Sequence, residues 1–537
     1  MKRRGRDESR ASGFDRFLSV RPITPCKTNK NFGFARISFF LFFLFQKVKH
    51  CIMSSYESSS DSDEDEGFQV RVSLELASSI KDRSLEVPSE PIAVPADIGR
   101  KGLSAVINHL LGRSVGGGVQ EESDSEDDAE EDKLQELNFE FIVSGTNNRL
   151  LRKGVEREAR QHGISLEEAI SITYFPATNA PDLSDRKEEL PDWVSCLSYN
   201  QSILCSGCYD GSIHLYSDKK DILKELQSTT LSNGPIKCLE TTVSEDNKLW
   251  IAAASLDHTL SLYTYDEDSG MSAFGQCVQE GTSCAMSSLD FSSAESRLLA
   301  SGDGNGTISL WDIRKSTNNN NNNNVSGGEV STKKRKTTEG KTSSALQLFK
   351  ASSKIETAHS QLISGISWGN HSSSTNNDTH LISGSWDHSI KLWDVTKQDC
   401  LLTLNGSRVV SCLDTSYFSE GVVATGHPDC TIRLWDMRIN DSKNTSIVSD
   451  NTFRPSHKAW VSSVQWSKTH PYHLASTSHD GTVKLWDIRS PNPLHTVRTF
   501  TKDEKGLCLV YTTSQEGENK QKVFVGGTDC AINNLEF

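Results

Sequence analysis

From Phe68 onward, apolar and polar residues alternate. Phe68, Val70, Val72, Leu74 and Leu76 share one side of FQVRVSLEL, the period-two pattern of a half-buried strand. A second extended piece, PIAVPADI, follows. In GLSAVINHLLG the period changes: Leu103, Val106, Ile107, Leu110 and Leu111 recur at three- and four-residue steps, which predicts an amphipathic helix ended by Gly112. Phe139, Phe141 and Val143 restore the alternation, and Ile170, Ile172 and Tyr174 predict a last strand. The remainder of the chain repeats one motif, strand, polar turn, strand.

Strand, strand, helix, strand, strand is the order of a small α+β ubiquitin-like (β-grasp) domain, here spanning residues 67–178 and interrupted by an acidic insert at 114–136. Nine carboxylates among the twelve residues Glu121 to Asp132 repel one another, which predicts a disordered loop. Ser123, Ser125 and Ser58 to Ser62 sit beside acidic residues that acidophilic kinases favour, so a phosphorylation segment is the other reading.

The repeats are SGSWDHSIKLWD, ending at Asp394, and its copies ending at Asp436, Asp487 and Asp312, with weaker copies ending at Ser217 and Thr264 and one at the end of the chain. Positions 216, 263, 311, 393, 435, 486 and 535 are 42 to 51 apart, except for one gap of 82. Seven such units resemble the blades of an all-β, seven-bladed WD40 β-propeller, here over residues 179–537. In blades of that type a turn Asp, a strand Ser or Thr, an upstream His and the strand Trp form a hydrogen-bonded relay. His359, Ser383, Asp387 and Trp393 match it, as do His457, Ser476, Asp480 and Trp486. Their recurrence marks a stabilising network rather than a catalytic triad. Asn305 replaces the turn Asp in the third unit, and the first two lack Trp-Asp, so those blades are expected to be less regular. The last unit needs an outermost strand from elsewhere, and residues 176–192 are the natural donor.

Composition refines this picture. The net charge of −14 is asymmetric: residues 1–52 hold 12 Lys/Arg against 3 Asp/Glu, leaving 45 basic and 68 acidic residues thereafter. So acidic a body is not built chiefly to neutralise phosphates. The 13 cysteines are scattered, and Cys205 and Cys208 lack a partner pair at zinc-ligand spacing, which suits a reducing compartment and buried thiols. The apolar run Ile37 to Phe45 is far shorter than the ~20 residues that span a bilayer. Residues 1–66 read as a disordered extension, and Met53, opening MSSYESSSDSDEDEG, is a natural start, so residues 1–52 are expected to stem from an upstream start or a gene-model error. The third gap holds a disordered basic insert at 315–355 with seven consecutive Asn, 318 to 324, and then Lys333, Lys334, Arg335 and Lys336, which suit nuclear import or a plain solvated loop. Lys391, Arg433 and Lys484 at blade ends either meet RNA phosphates or are ordinary strand-surface charges. No P-loop, nucleophile elbow or metal-ligand cluster points to an enzyme.

GLSAVINHLLG, FEFIVSG and GISLEEAISITY resemble the notchless-type ubiquitin-like domain. Joined to seven WD repeats with a basic insert after the third, they closely resemble the family of WD-repeat subunits of the PeBoW complex. The resemblance implies a non-catalytic scaffold of the nucleus, nucleolus and nucleoplasm. Its expected partners are pescadillo and block of proliferation proteins on pre-60S ribosomal particles, where maturation of 28S and 5.8S rRNA depends on the complex. It implies no cofactor held in cis. The AAA ATPase midasin is expected to engage the ubiquitin-like domain through a magnesium-type ion in its own adhesion site, which takes a carboxylate from the ligand. GISLEEAISITY aligns that ligand with Glu167, with Glu168 as the fallback. Two other readings are a ubiquitin-ligase substrate receptor, which would carry an adaptor-binding helix, and a notchless-like assembly factor, which would carry an additional repeat.

Overall fold

The structure, a computed structural model, describes residues 68–113, 136–146, 148–183, 188–219, 222–230, 234–244, 246–278, 284–292, 298–313, 347–369, 380–419, 421–438, 456–513 and 521–536. The expectations for residues 1–66, the acidic insert, the Asn run and Lys333, Lys334, Arg335 and Lys336 fall outside these residues.

Strands β1 (Gln69–Leu76), β2 (Ile92–Pro95), β3 (Phe139–Val143) and β4 (Ile170–Pro176) form one sheet in the order β2-β1-β4-β3. The first and last strands pair parallel at its centre, Val72 opposite Ile170 and Leu74 opposite Ile172, which is the β-grasp arrangement. Val70, Val72, Leu74, Ile170, Ile172 and Tyr174 are buried as their alternation demands, whereas Phe68 at the strand's edge is exposed. The Tyr174 hydroxyl donates to Leu85 O at 2.7 Å and accepts from Val87 N at 3.0 Å, fastening the β1–β2 connection over the sheet. Helix α1 (Arg100–Leu110) buries Leu103, Val106 and Ile107 and gives way to Gly112 at φ +70°. A second helix, α2 (Val155–Gln161), was not expected: VEREARQ offers only Val155 and Ala159 as apolar positions, too few to make a stripe.

The remaining sheets among the described residues number seven, one per repeat. The inner strands, such as Val194–Asn200 in the first blade and Ile363–Trp368 in the fourth, lie side by side around the ring. They are stitched by a serine at one repeated position. Ser195 Oγ donates to Ile236 O (2.6 Å), Ser287 to Ile363 O (2.5 Å), Ser364 to Val410 O (2.6 Å), Ser411 to Val461 O (3.1 Å) and Ser462 to Gly506 O (2.7 Å), each reaching the next blade. Closure comes from β5 (Asp182–Leu183) and β6 (Glu188–Glu189), which pair antiparallel with Ala531–Glu536 of the last blade. That blade also packs on the first, with Lys522 Nζ 2.9 Å from Asp218 Oδ1.

Two expectations need correction. Residues assigned to the insert at 315–355 include strands: Gln347–Lys350 adds in parallel to the second blade, and Ser353–Ile355 forms the outer strand of the third. Phe349 explains this, because it is buried in the core between those blades. Nor are the first two blades less regular. Each has its four antiparallel strands, with Tyr216 and Tyr263 buried at the Trp position, and the outer-strand bulge of the second recurs in the relay-bearing fourth.

Candidate functional site

Helix α2 builds the glutamate loop. Its end is a Schellman turn: Gly163 at φ +69°, Ile164 N donating to Ala159 O at 2.8 Å and Gly163 N to Arg160 O at 3.3 Å. The chain then crosses residues 165–169 before β4, with Glu167 N donating to Ser165 Oγ at 3.3 Å. Glu167 and Glu168 are both exposed, and neither carboxylate has a hydrogen-bond or ion-pair partner among the described residues. The helix stop and the buried Ile170 fix the loop at both ends, leaving two carboxylates held out by a stiff support.

The same domain is fastened to the sixth blade by groups that alternation did not reveal. Glu140, expected on the solvent side of β3, is only 3% exposed. Its Oε1 lies 2.9 Å from Arg100 Nη1, and its Oε2 lies 3.2 Å from Arg152 Nη1. Arg152 Nε donates to Ser490 Oγ at 3.0 Å, and Leu150 N to Arg489 O at 3.1 Å. The Arg489 guanidinium, paired with Asp487 at 2.6 Å, sits 4.9 Å from the Phe175 ring and 4.2 Å from that of Tyr472. His495 Nε2 lies 3.1 Å from Thr178 O. A sequence shows the charges but not which surface covers them.

Both relays assemble. His359 Nε2 is 2.7 Å from Ser383 Oγ and its Nδ1 3.0 Å from Asp387 Oδ2, while Trp393 Nε1 donates to Ser383 Oγ at 2.8 Å. In the sixth blade His457 lies 2.8 Å from Ser476 and 3.2 Å from Asp480, and Trp486 donates to Ser476 at 2.8 Å. Burial alone would raise the Asp387 carboxyl, but the Ser389 hydroxyl, the Ser360 amide and His359 hold it at about 2. Burial lowers both imidazoles, keeping them neutral. Every polar atom of the serine is engaged and buried, so no nucleophile is presented. Two blades use substitutes. In the third, Asp303 accepts from Thr307 N at 2.7 Å in the turn that Asn305 occupies, and Trp311 donates to Ser301 at 2.9 Å. In the fifth, Thr425 joins Trp435 (2.7 Å) to His427 (2.8 Å), a histidine drawn from the turn itself.

The blade-end cations are committed to the fold. Lys391 Nζ donates to Ala358 O and Lys484 Nζ to Ser456 O, both at 2.5 Å, each beside its blade's Trp ring, while Arg433 pairs with Asp429 at 2.7 Å. That geometry supports the structural reading of these three residues over phosphate contact. Cys205 and Cys208 are buried in different inter-blade cores, on opposite faces of one strand. Among the described residues no His/Cys/Asp/Glu group is placed to hold a metal, and no helix is long and apolar enough to cross a membrane.

Residues 72–155 match the family model described as the NLE (NUC135) domain. The WD domain, G-beta repeat model matches 188–217, 275–312, 352–394, 398–436 and 449–487, and thus five of the seven repeat units. A ribosome biogenesis protein WDR12 homolog of Chlamydomonas reinhardtii is 29% identical over 470 residues, covering 84% of this chain and 95% of the relative. Homologs of the same name from Oryza sativa subsp. japonica and Dictyostelium discoideum are each 28% identical, over 84% of this chain and 94% and 92% of their own lengths. With an NLE domain ahead of WD40 repeats and similarity running through both, the chain is a homologue of the proteins named WDR12.

Proposed function

We propose that this chain is a non-catalytic scaffold of ribosome biogenesis, acting on the large-subunit precursor as the WD-repeat member of a PeBoW-type complex with pescadillo and block of proliferation proteins. In this role it supports maturation of 28S and 5.8S rRNA in the nucleolus and nucleoplasm. The ubiquitin-like domain is the handle by which midasin removes the complex from the particle. The observation that carries the reading is the glutamate loop, two unpaired, exposed carboxylates on a rigid support, in a chain whose relatives are named for ribosome biogenesis. A carboxylate so held offers one hard oxygen ligand to a cation with an open coordination position, and the described residues hold no set that would bind that cation in cis.

The test is binding of the full chain to the midasin adhesion-site domain with magnesium present. Glu167→Ala is expected to weaken binding at least tenfold, about 1.4 kcal/mol or more, and chelation to do the same, whereas Glu168→Ala should leave it within about twofold. Metal-independent binding that survives both substitutions would end the handle reading.

A further inference from the structure

The glutamate loop carries a third polar side chain that the handle does not use. Ser165 is exposed, and its hydroxyl has one contact, the 3.3 Å bond it accepts from Glu167 N. Glu167 follows at the second position and Glu168 at the third, so the stretch reads Ser-Leu-Glu-Glu. A carboxylate three residues beyond a serine is what acidophilic kinases bind, through basic side chains lining their substrate cleft. Among the described residues, Ser165 to Glu168 make no other hydrogen bond. The segment can therefore extend into such a cleft without breaking a ladder.

The surroundings decide what a phosphate here would do. The helix stop and the buried Ile170 fix both ends of the loop, so a group on Ser165 stays close to Glu167. Phosphorylation adds about −1.5 to −2 charges at pH 7, with oxygens that draw a neighbouring amide more strongly than a hydroxyl does. The two cations nearest in sequence on α2 already face carboxylates: Arg160 lies 2.5 Å from Glu156, and His162 lies 3.9 Å from Glu158. The added charge is thus left beside the carboxylate of Glu167 rather than drawn off to the helix.

We propose that Ser165 is a phosphorylation site of an acidophilic kinase, that Glu168 is the residue this kinase reads, and that the phosphate releases the ubiquitin-like domain from midasin. In the modification the γ-phosphoryl group of ATP passes to Ser165 Oγ. The bond from the γ-phosphorus to its bridging oxygen breaks, the Oγ–P bond forms, ADP leaves with the electron pair, and the hydroxyl proton goes to the kinase's base. Release follows from charge. A cation with one open position accepts one anionic oxygen, and the oxygen ligands that already hold it on the partner repel a second anion two residues from Glu167. The two adjacent glutamates then have separate duties, Glu167 toward the cation and Glu168 toward the kinase.

This inference rests on the handle reading and is tested apart from it. The full chain, Ser165→Ala and Glu168→Gln are each treated with casein kinase II and magnesium-ATP. Phosphopeptide mass spectrometry reads the sites, and after removal of nucleotide the chains are titrated with the midasin adhesion-site domain in magnesium. Wild type is expected to carry phosphate on Ser165, and Glu168→Gln to acquire it at least tenfold more slowly. Phosphorylated wild type should bind at least tenfold more weakly, with recovery after phosphatase treatment. Ser165→Ala should bind like untreated wild type before and after the kinase, even with phosphate on its other acidic serines. No phosphate on Ser165 while other serines are modified would overturn the site. Phosphate on Ser165 with unchanged or tighter binding would overturn the switch. Untreated wild type that fails to bind in magnesium would remove the handle reading and the switch with it, whereas the modification is judged by the mass measurement alone.

Discussion

Ser383 and Ser476 are small residues with large consequences. Each accepts a tryptophan N–H and meets a histidine ring nitrogen inside a dry core. Ser476→Ala would strand two buried polar groups, so it is expected to lower the unfolding free energy by about 1–3 kcal/mol per unsatisfied group, measured by denaturant titration. Ser165→Ala, which loses only one exposed bond on the glutamate loop, should change it by less than about 0.5 kcal/mol. At this scale the sequence was most informative. Relay residues are legible because one set of side-chain types recurs at fixed spacing, and Glu167 and Glu168 are legible as exposed carboxylates just ahead of the last strand. Glu140 was illegible for the opposite reason. Its position in an alternating strand says solvent, and only the arginines and the blade covering it make it buried.

Within the blades, alternation and turn residues identified the strands, while a polar face with too few apolar positions hid helix α2. The inner strands carry a second feature that no local pattern shows. Glu240, Asp290 and Asp414 occupy one equivalent inner-strand position in the second, third and fifth blades, and each accepts a hydrogen bond across a blade boundary: Asp290 from Trp368 N at 2.7 Å, Asp414 from Trp466 N at 2.6 Å, Glu240 from Ser198 Oγ at 3.2 Å. Burial raises all three, Asp414 to about 7, against the lowering pull of the Trp466 amide and Lys468. Between an unfolded value near 4 and pH 7 the folded form of such a group binds more protons than the unfolded form, so its contribution to stability rises as pH falls. His427 and His473, lowered chiefly by burial to about 4, act the other way: the unfolded chain takes up their protons first, and stability falls as pH drops from about 6.5. Asp414→Asn, which keeps an acceptor for Trp466 N, is therefore expected to stabilise the propeller at pH 8, with the gain shrinking as pH falls from about 7 toward about 4 in melting curves taken across that range.

For the molecule as a whole, the repeat count indicated a ring and the incomplete last unit indicated where it closes. What stayed hidden was the attachment of the ubiquitin-like domain, since Arg152 and Ser490 are 338 residues apart and neither belongs to a motif. Substituting prolines at Leu183 and Glu189 should weaken the closing ladders and lower the melting temperature, even though both lie in two-residue strands.

The closing strands lie on the chain path from the ubiquitin-like domain into the ring, six residues past the end of β4. Tension applied at the glutamate loop would therefore reach Asp182 and Leu183 first and load their two pairs, with Glu536 and Leu535. The contacts to the sixth blade, through Ser490, Arg489 and His495, form a parallel mechanical path that diverts this tension into a complete four-stranded sheet. Under the proposed pulling they would act as strain relief at the seam: the ring would stay closed while they hold and open from the seam once they yield.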